Sequence, residues 1–321
     1  MGMVSDHYER DGNSYEEPEL KRPMFDRYRE IIPQFPMFQK SLCRPLPTHL
    51  RVNRLKIDPI PLVNLMEEKG IYLKRDTDGD DSLYLASGLD SSGNMLEYFM
   101  GYFHPQALTS CLASIALLPK KGSYVLDMCA SPGGKTSHMA QLMDNTGLIV
   151  ANDLYPSRHI PLGHTLERLG VTNAVITGYQ AQEFPLRQHF DFVLADIPCS
   201  GEGRFRKIHD IYEYKETKAR YALPDLQKKI ILRGFDLLKD DGEMLYATCT
   251  YNPEENESVV DFLLKSREAE LLSVHTGFEY DTGITEWRDK KYDKRLERAA
   301  RFYPHRIDSV GFFMARIGKR G

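Results

Sequence analysis

Residues 123–143 read SYVLDMCASPGGKTSHMAQLM: a short apolar run, a proline–glycine turn, then apolar residues at helical spacing. A strand that turns sharply into a helix is the unit from which α/β sheets are built. Pro132, Gly133 and Gly134 supply the tight turn, and the free N–H groups at the start of the following helix favour a negative ligand group such as a carboxylate. A phosphate-binding P-loop would need glycine where Cys129 stands, and a dinucleotide fingerprint would need G-x-G-x-x-G where only two adjacent glycines occur. An ordinary strand-to-helix loop is the bland alternative.

The same rhythm continues downstream. LIVANDL (148–154), AVITGY (174–179), FDFVLADI (190–197), EMLYATC (243–249) and GFFMARI (311–317) are short apolar runs. Helical stretches lie between several of them, among them 157–170, 224–239 and 256–265. This alternation predicts a mostly parallel sheet with helices on both faces. In such a sheet ligands bind outside the carboxyl ends of the strands, near where the strand order reverses. The second strand of the series ends in Asp153, an acid suited to hold both hydroxyls of a ribose, although it would serve equally as a helix cap. With the glycine turn one βα unit earlier, it favours an adenosine-bearing cofactor without a pyrophosphate, which points to S-adenosylmethionine.

Upstream, residues 1–22 are acidic and read as a mobile tail. Residues 23–104 read as a small α/β domain: a proline-broken helical stretch from 24 to 45, a strand at 49–57, a helix at 59–70, a strand at 71–75, and a polar loop over 76–94. The larger unit then occupies 105–321.

At 321 residues with 41% hydrophobic and 27% charged residues, the chain can bury a large core. No stretch approaches the roughly 18 apolar residues of a membrane span, and residues 1–20 lack a signal-peptide layout, so the default compartment is the cytoplasm. Five scattered cysteines do not make a disulfide framework or a zinc site, so no metal is expected. Nothing demands more than a monomer. A net charge of −4 gives no global sign of nucleic-acid binding, so any such role rests on local patches.

Two cysteines stand apart from the structural reading given to Cys43, Cys111 and Cys129. Cys199 follows a strand in Asp196-Ile197-Pro198-Cys199, and Cys249 follows the next in Ala247-Thr248-Cys249. If those strands are sheet neighbours, about 4.8 Å apart, both thiols can reach one flat ring. Cytosine C5 is a poor nucleophile; a thiolate adding to C6 pushes electron density onto C5, which can then attack a sulfonium methyl group. A second group near C5 would help remove its proton, and a carboxyl such as Asp196 could assist at N3.

VLDMCASPGGKTS (125–137), ANDLYPSR (151–158), DIPCSGEG (196–203) and ATCTYNPEENE (247–257) together resemble the motifs of the RsmB/NOP-type (Sun family) RNA cytosine-C5 methyltransferases, with RVNRLKI and RFYPHRIDSVGFF matching flanking segments. The resemblance runs from about residue 25 to 317. It implies a Rossmann-like class I methyltransferase sheet, with Cys249 as the nucleophile, Cys199 assisting product release, Asp196 beside the cytosine and Lys135 reaching into the site. It further implies S-adenosyl-L-methionine contacts from Cys129, Ala130, Ser131, Pro132, Gly133, Gly134 and Lys135, then Asp153, Arg158, Gln180 and Asp196. Gln180 stands where the family commonly has Asp; its carbonyl can still accept a hydrogen bond from an adenine amino group. DNA cytosine-C5 methylation, with the Pro-Cys thiol as nucleophile, and a cofactor-binding scaffold for ribosome assembly are the alternatives.

RNA, either ribosomal or transfer, is the expected partner, with the target cytosine unpaired or flipped. Residues 287–306 carry eight Lys/Arg against three acids, which makes Arg298, Arg301 and Arg306 candidates. Arg204, Arg206 and Lys207 surround Phe205 just after the Pro-Cys loop, a pattern that suits backbone tracking beside a stacking platform. Arg51, Arg54 and Lys56 are the candidates in the small domain.

Overall fold

The computed structural model describes residues 25–77, 80–207 and 222–320. The expectation of a mobile tail over residues 1–22 falls outside them. After helix α1 (Phe35–Leu42) come β1 (Thr48–Val52), α2 (Pro59–Glu67), β2 (Tyr72–Thr77), β3 (Asp80–Ser87), α3 (Leu96–Phe99) and β4 (Phe103–Pro105). The four strands form an antiparallel sheet in the order β2-β3-β1-β4. Its core packs Leu50, Val52, Leu62, Met66, Tyr84 and Phe103.

The second half contains α4 (Leu108–Leu117), β5 (Tyr124–Asp127), α5 (Gly134–Leu142), β6 (Leu148–Asn152), α6 (Pro156–Arg168), β7 (Ala174–Thr177), β8 (Phe190–Asp196), α7 (Leu223–Asp236), β9 (Leu238–Thr248), α8 (Glu257–Ser266), β10 (Ala269–Leu272), β11 (Asp281–Thr282), a β12–β13 hairpin (Glu286–Trp287 and Lys290–Lys291), β14 (Ala300–Phe302) and β15 (Phe312–Lys319). The large sheet runs β11-β14-β15-β9-β8-β5-β6-β7, with β10 on β15. The pairs from β7 to β9 are parallel, and β15 closes the series antiparallel to β9.

Period-2 alternation sorts each strand between two cores. Leu126, Val193 and Met244 face α7 and α8, whereas Val125, Leu194 and Leu245 face α4 and α5. Helices therefore cover both faces, as a parallel sheet requires. The chain leaves β5 toward β6 and β7 and returns to its other side as β8, so the strand order reverses between β5 and β8.

Two sequence expectations change here. The segment read as a loop over 76–94 contains β3, an inner strand of the small sheet. Pairing with β1 and β2 satisfies its backbone, while Leu83 and Tyr84 are buried in different cores, which outweighs its local content of acids and glycine. The segment 25–42, read as part of the small domain, packs instead against Tyr251, Trp287 and Tyr303. Its aromatic residues find their partners in the loops that follow β8 and β9, where Phe25 meets Phe205 and Tyr251.

Candidate active site

Strands β8 and β9 are parallel neighbours with Asp196 beside Ala247, so the loops after both emerge at the same edge. Those loops place the Sγ atoms of Cys199 and Cys249 3.4 Å apart. Backbone bonds fix the spacing: Gly203 N–H donates to the Cys249 carbonyl at 2.9 Å, and Gly311 N–H donates to the Gly203 carbonyl at 2.9 Å. A Cβ on Gly203 would lie 2.2 Å from the Gly311 oxygen, so only glycine lets these three segments meet. The segment after Cys249 folds back to brace both loops. The buried Glu255 carboxylate accepts from Ser200 N–H (2.8 Å), Gln227 Nε2 (3.0 Å) and Asn252 Nδ2 (3.1 Å). Asn256 accepts from Thr248 Oγ1 (2.6 Å) and donates to the Thr250 carbonyl (3.0 Å).

The thiols are not equivalent. A hydrogen bond from Cys199, reinforced by the positive charges of Arg204 and Lys135, lowers the Cys249 pKa below the ordinary thiol value against the opposing effects of burial and Asp196. The same hydrogen bond, with burial, raises Cys199 well above it. These directions favour Cys249 over Cys199 as the thiol of the pair that gives up its proton. Because the Cys249 pKa is lowered, iodoacetamide is expected to alkylate it at pH values below the normal thiol range. Removing the donor in Cys199→Ala should move that profile to higher pH, as followed by peptide mass spectrometry; an unmoved profile would refute the assignment.

Lys135 Nζ lies 2.6 Å from Asp196 Oδ2. Burial works against the lysine's charge, but Asp196 outweighs it and raises the pKa, so Lys135 stays an ammonium. Asp127, at the end of β5, is 1% exposed; burial raises its carboxyl to about 7, although Thr136 donates to Oδ2 at 2.7 Å. Its Oδ1 has no hydrogen-bond partner among the described residues.

These groups line one cavity of about 640 Å³, within the usual size of a ligand site. Of the residues expected to bind cofactor, Cys129–Pro132, Gly134, Lys135, Arg158 and Asp196 lie on its wall. Gly133 takes φ +101 at the N-cap of α5, and a Cβ there would face Leu162 and Thr165. Asp153 lies behind the turn, accepting from the amides of Ser131 and Tyr155 at 3.3 Å each. Gln180 is exposed and accepts from Gln182 at 2.7 Å. Neither Asp153 nor Gln180 lines the cavity. Sequence reasoning missed Phe25, His104, Gln106, Asp127 and Glu202, which do. Only Asp127 and Glu202 stood within motifs already singled out.

The sequence model of a family described as 16S rRNA methyltransferase RsmB/F matches residues 114–318, from α4 into β15, including both cysteines. The chain belongs to this family. A human 28S rRNA (cytosine(4447)-C(5))-methyltransferase is 39% identical over 284 residues, covering 86% of this chain and 34% of that protein. A tRNA (cytosine(49)-C(5))-methyltransferase from Pyrococcus abyssi is 34% identical over 301 residues, covering 94% of this chain and 96% of that protein. The chain thus spans about a third of the length of the human relative and nearly all of the archaeal one. The crystal structure of a methyltransferase homologue from Pyrococcus horikoshii superimposes with a TM-score of 0.81 at 31% identity, covering 92% of this chain and 94% of that one. The Rossmann-like sheet of the RsmB/F family is therefore the fold of this chain.

In this RsmB/F chain the arginines expected to meet RNA divide sharply. Arg51, Arg206 and Arg301 are buried, and their guanidinium groups are spent inside the protein. Arg51 donates to Gln106, Gln141 and Ser137; Arg206 pairs with Asp308 and donates to the Arg44 and Pro45 carbonyls; Arg301 pairs with Glu257. A buried guanidinium must find acceptors within the fold, so these three positions are corrected to structural ones. Lys56 is exposed, but its ammonium donates to the Met100 and Arg168 carbonyls. Arg54, Arg298 and Arg306 are exposed, with Asp81, Glu270 and Asp281 nearby. Arg204 is exposed on the cavity wall beside the cysteines. The side chain of Lys207 lies outside the described residues.

Proposed function

We propose that the chain is an RNA cytosine-C5 methyltransferase that uses S-adenosylmethionine and works through a covalent adduct between Cys249 and C6 of the base. The observation that carries the reading is the pair of thiols 3.4 Å apart on the wall of a cavity shared with the glycine turn and the Lys135–Asp196 pair. The names of the human and archaeal relatives, both cytosine-C5 methyltransferases of RNA, support the substrate class.

The residues fit the donor. The N-terminus of α5, opening with Gly134, borders the cavity, and the buried Asp127 Oδ1 offers an acceptor that the protein leaves unused. The turn residues Cys129–Pro132, with Gly134 and Lys135, would hold it; Asp153 braces the turn from behind, and Arg158 braces it from the cavity wall through the Ser131 carbonyl. When bound, the cofactor supplies an electrophilic methyl group on a sulfonium.

The chain's own groups do the rest. Cys249, poised as a thiolate, adds to C6 of the cytosine and makes C5 nucleophilic. The ammonium of Lys135 and the carboxyl of Asp196 share a proton network beside the base and can hydrogen-bond its ring nitrogen and amino group as charge develops. Once Cys249 is held in the adduct, Cys199 gives its proton to solvent and, as a thiolate next to the adduct sulfur, takes the C5 proton; the C5–H electron pair re-forms the C5–C6 double bond and expels Cys249 as a thiolate. Arg204, exposed at the mouth, meets the RNA backbone. The test is to incubate the protein with methyl-labelled S-adenosylmethionine and RNA or DNA and analyse the nucleosides. Label in 5-methylcytidine of RNA is expected; label confined to DNA, or no transfer to either, would reject the proposal.

A further inference from the structure

At the end of the cavity formed by α5, the small sheet contributes a group to which no role has been assigned. His104 sits on β4, beside Arg51 in the register of β1, and reaches the cavity wall. Arg168 Nη2 lies 2.9 Å from His104 Nδ1. A guanidinium only donates, so Nδ1 must accept, and the ring proton resides on Nε2. The orientation of Arg168 is itself fixed, since it donates to the Tyr98 and Phe103 carbonyls and its guanidinium covers the Tyr98 ring at 3.9 Å. Burial, together with Arg51 and Arg168, lowers the imidazole pKa to about 3, so the ring stays a neutral donor. A Cβ placed on Gly134, the first residue of α5, would lie 3.3 Å from Nε2, which puts that N–H at the mouth of the helix. Nε2 has no protein partner among the described residues.

Two further observations give the ligand's chemistry. Arg51 is fully buried, donates to Ser137 and Gln141 of α5, and has no carboxylate partner among the described residues. Its charge lies along the flank of α5, is felt at His104, and adds a positive background that favours an anion near the ring. On the same wall, the buried Asp127 Oδ1 is an acceptor without a donor. N–H donors over a positive background, with an unused carboxylate oxygen on the same wall, suit a zwitterionic α-amino acid terminus.

We propose that His104 Nε2–H, with the free amides of α5, binds the carboxylate of the methyl donor's amino acid end, so that the small domain completes the donor site. The inference rests on the donor reading above. His104 is a binding residue from outside the family motifs, held in its donating tautomer by Arg168 from α6.

The test compares S-adenosylhomocysteine, which carries the amino acid end, with 5′-methylthioadenosine, which lacks it, by calorimetry on the full chain. His104→Leu is expected to weaken S-adenosylhomocysteine roughly tenfold or more, the worth of a hydrogen bond to a charged group, and to leave 5′-methylthioadenosine within about twofold. His104→Gln, which keeps an N–H donor at similar reach, should restore most of the affinity. Equal weakening of both ligands, or an unchanged affinity of His104→Leu for S-adenosylhomocysteine, overturns the proposal. A glutamine variant as weak as the leucine one does the same. Failure of the wild type to bind S-adenosylhomocysteine would instead overturn the donor reading, and this inference with it.

Discussion

Replacing Cys249 with alanine is expected to abolish methyl transfer, a loss on the order of 10⁴-fold or more, as for removal of other covalent nucleophiles. Without sulfur addition at C6, the cytosine C5 lacks the electron density to attack a methyl group, and no neighbouring side chain can substitute. Cys199 Sγ is only 3.4 Å away, but in the variant burial and the nearby Glu255 still raise its pKa, so it is a poor replacement. Cys199→Ala should behave differently. Addition and methylation proceed, release is slow, and a protein–RNA adduct that survives denaturation accumulates as a shifted band on a denaturing gel. An adduct with Cys249→Ala, or none with Cys199→Ala, would reverse or sink the assigned roles. Loss of transfer in Cys199→Ala with activity retained in Cys249→Ala would make the Pro-Cys thiol the nucleophile, as in enzymes acting on DNA cytosine.

The second large effect is on stability. The side chains of Arg301 and Glu257 are 2% and 0% exposed and form a bidentate pair, with Arg301 also donating to the Tyr251 carbonyl at 3.1 Å. Glu257 in turn accepts from the Ile284 amide at 3.1 Å. Arg301→Met leaves a buried carboxylate without its counter-charge, which costs about 3–5 kcal/mol. In a chain of this size that corresponds to a fall in Tm of roughly 4–8 °C by calorimetry. Arg301→Met with Glu257→Leu should recover part of the loss, because two apolar groups need no mutual compensation. The sequence reading placed Arg301 in an RNA-binding patch. That reading predicts weaker RNA binding at unchanged Tm, so one melting curve separates the two.

The two cases show how differently kinds of residue can be read from sequence. Cys199 and Cys249 were legible because each ends an apolar run of strand length, and parallel neighbours in a doubly wound sheet present their carboxyl ends at one edge. The glycine turn was legible for the same reason. Arg51, Arg206 and Arg301 were misread because a cationic residue looks alike in sequence whether water or a buried acceptor surrounds it. Their acceptors are distant in the chain: Gln141 for Arg51, Pro45 for Arg206 and Glu257 for Arg301. Strand β3 was missed because its pairing partners, rather than its own composition, make it a strand.

The sequence by itself determined the alternation of strands and helices, and the sheet edge at which the two thiols meet, because these depend on local periodicity and on topological rules with few exceptions. Tertiary structure alone decided the inequality of those thiols, the burial of three arginines, the wrapping of residues 25–42 onto the loops after β8 and β9, and the arrival of His104 at the helix that follows the glycine turn. Each of these arises between residues far apart in the chain, where desolvation and a hydrogen-bond partner set a side chain's charge and role.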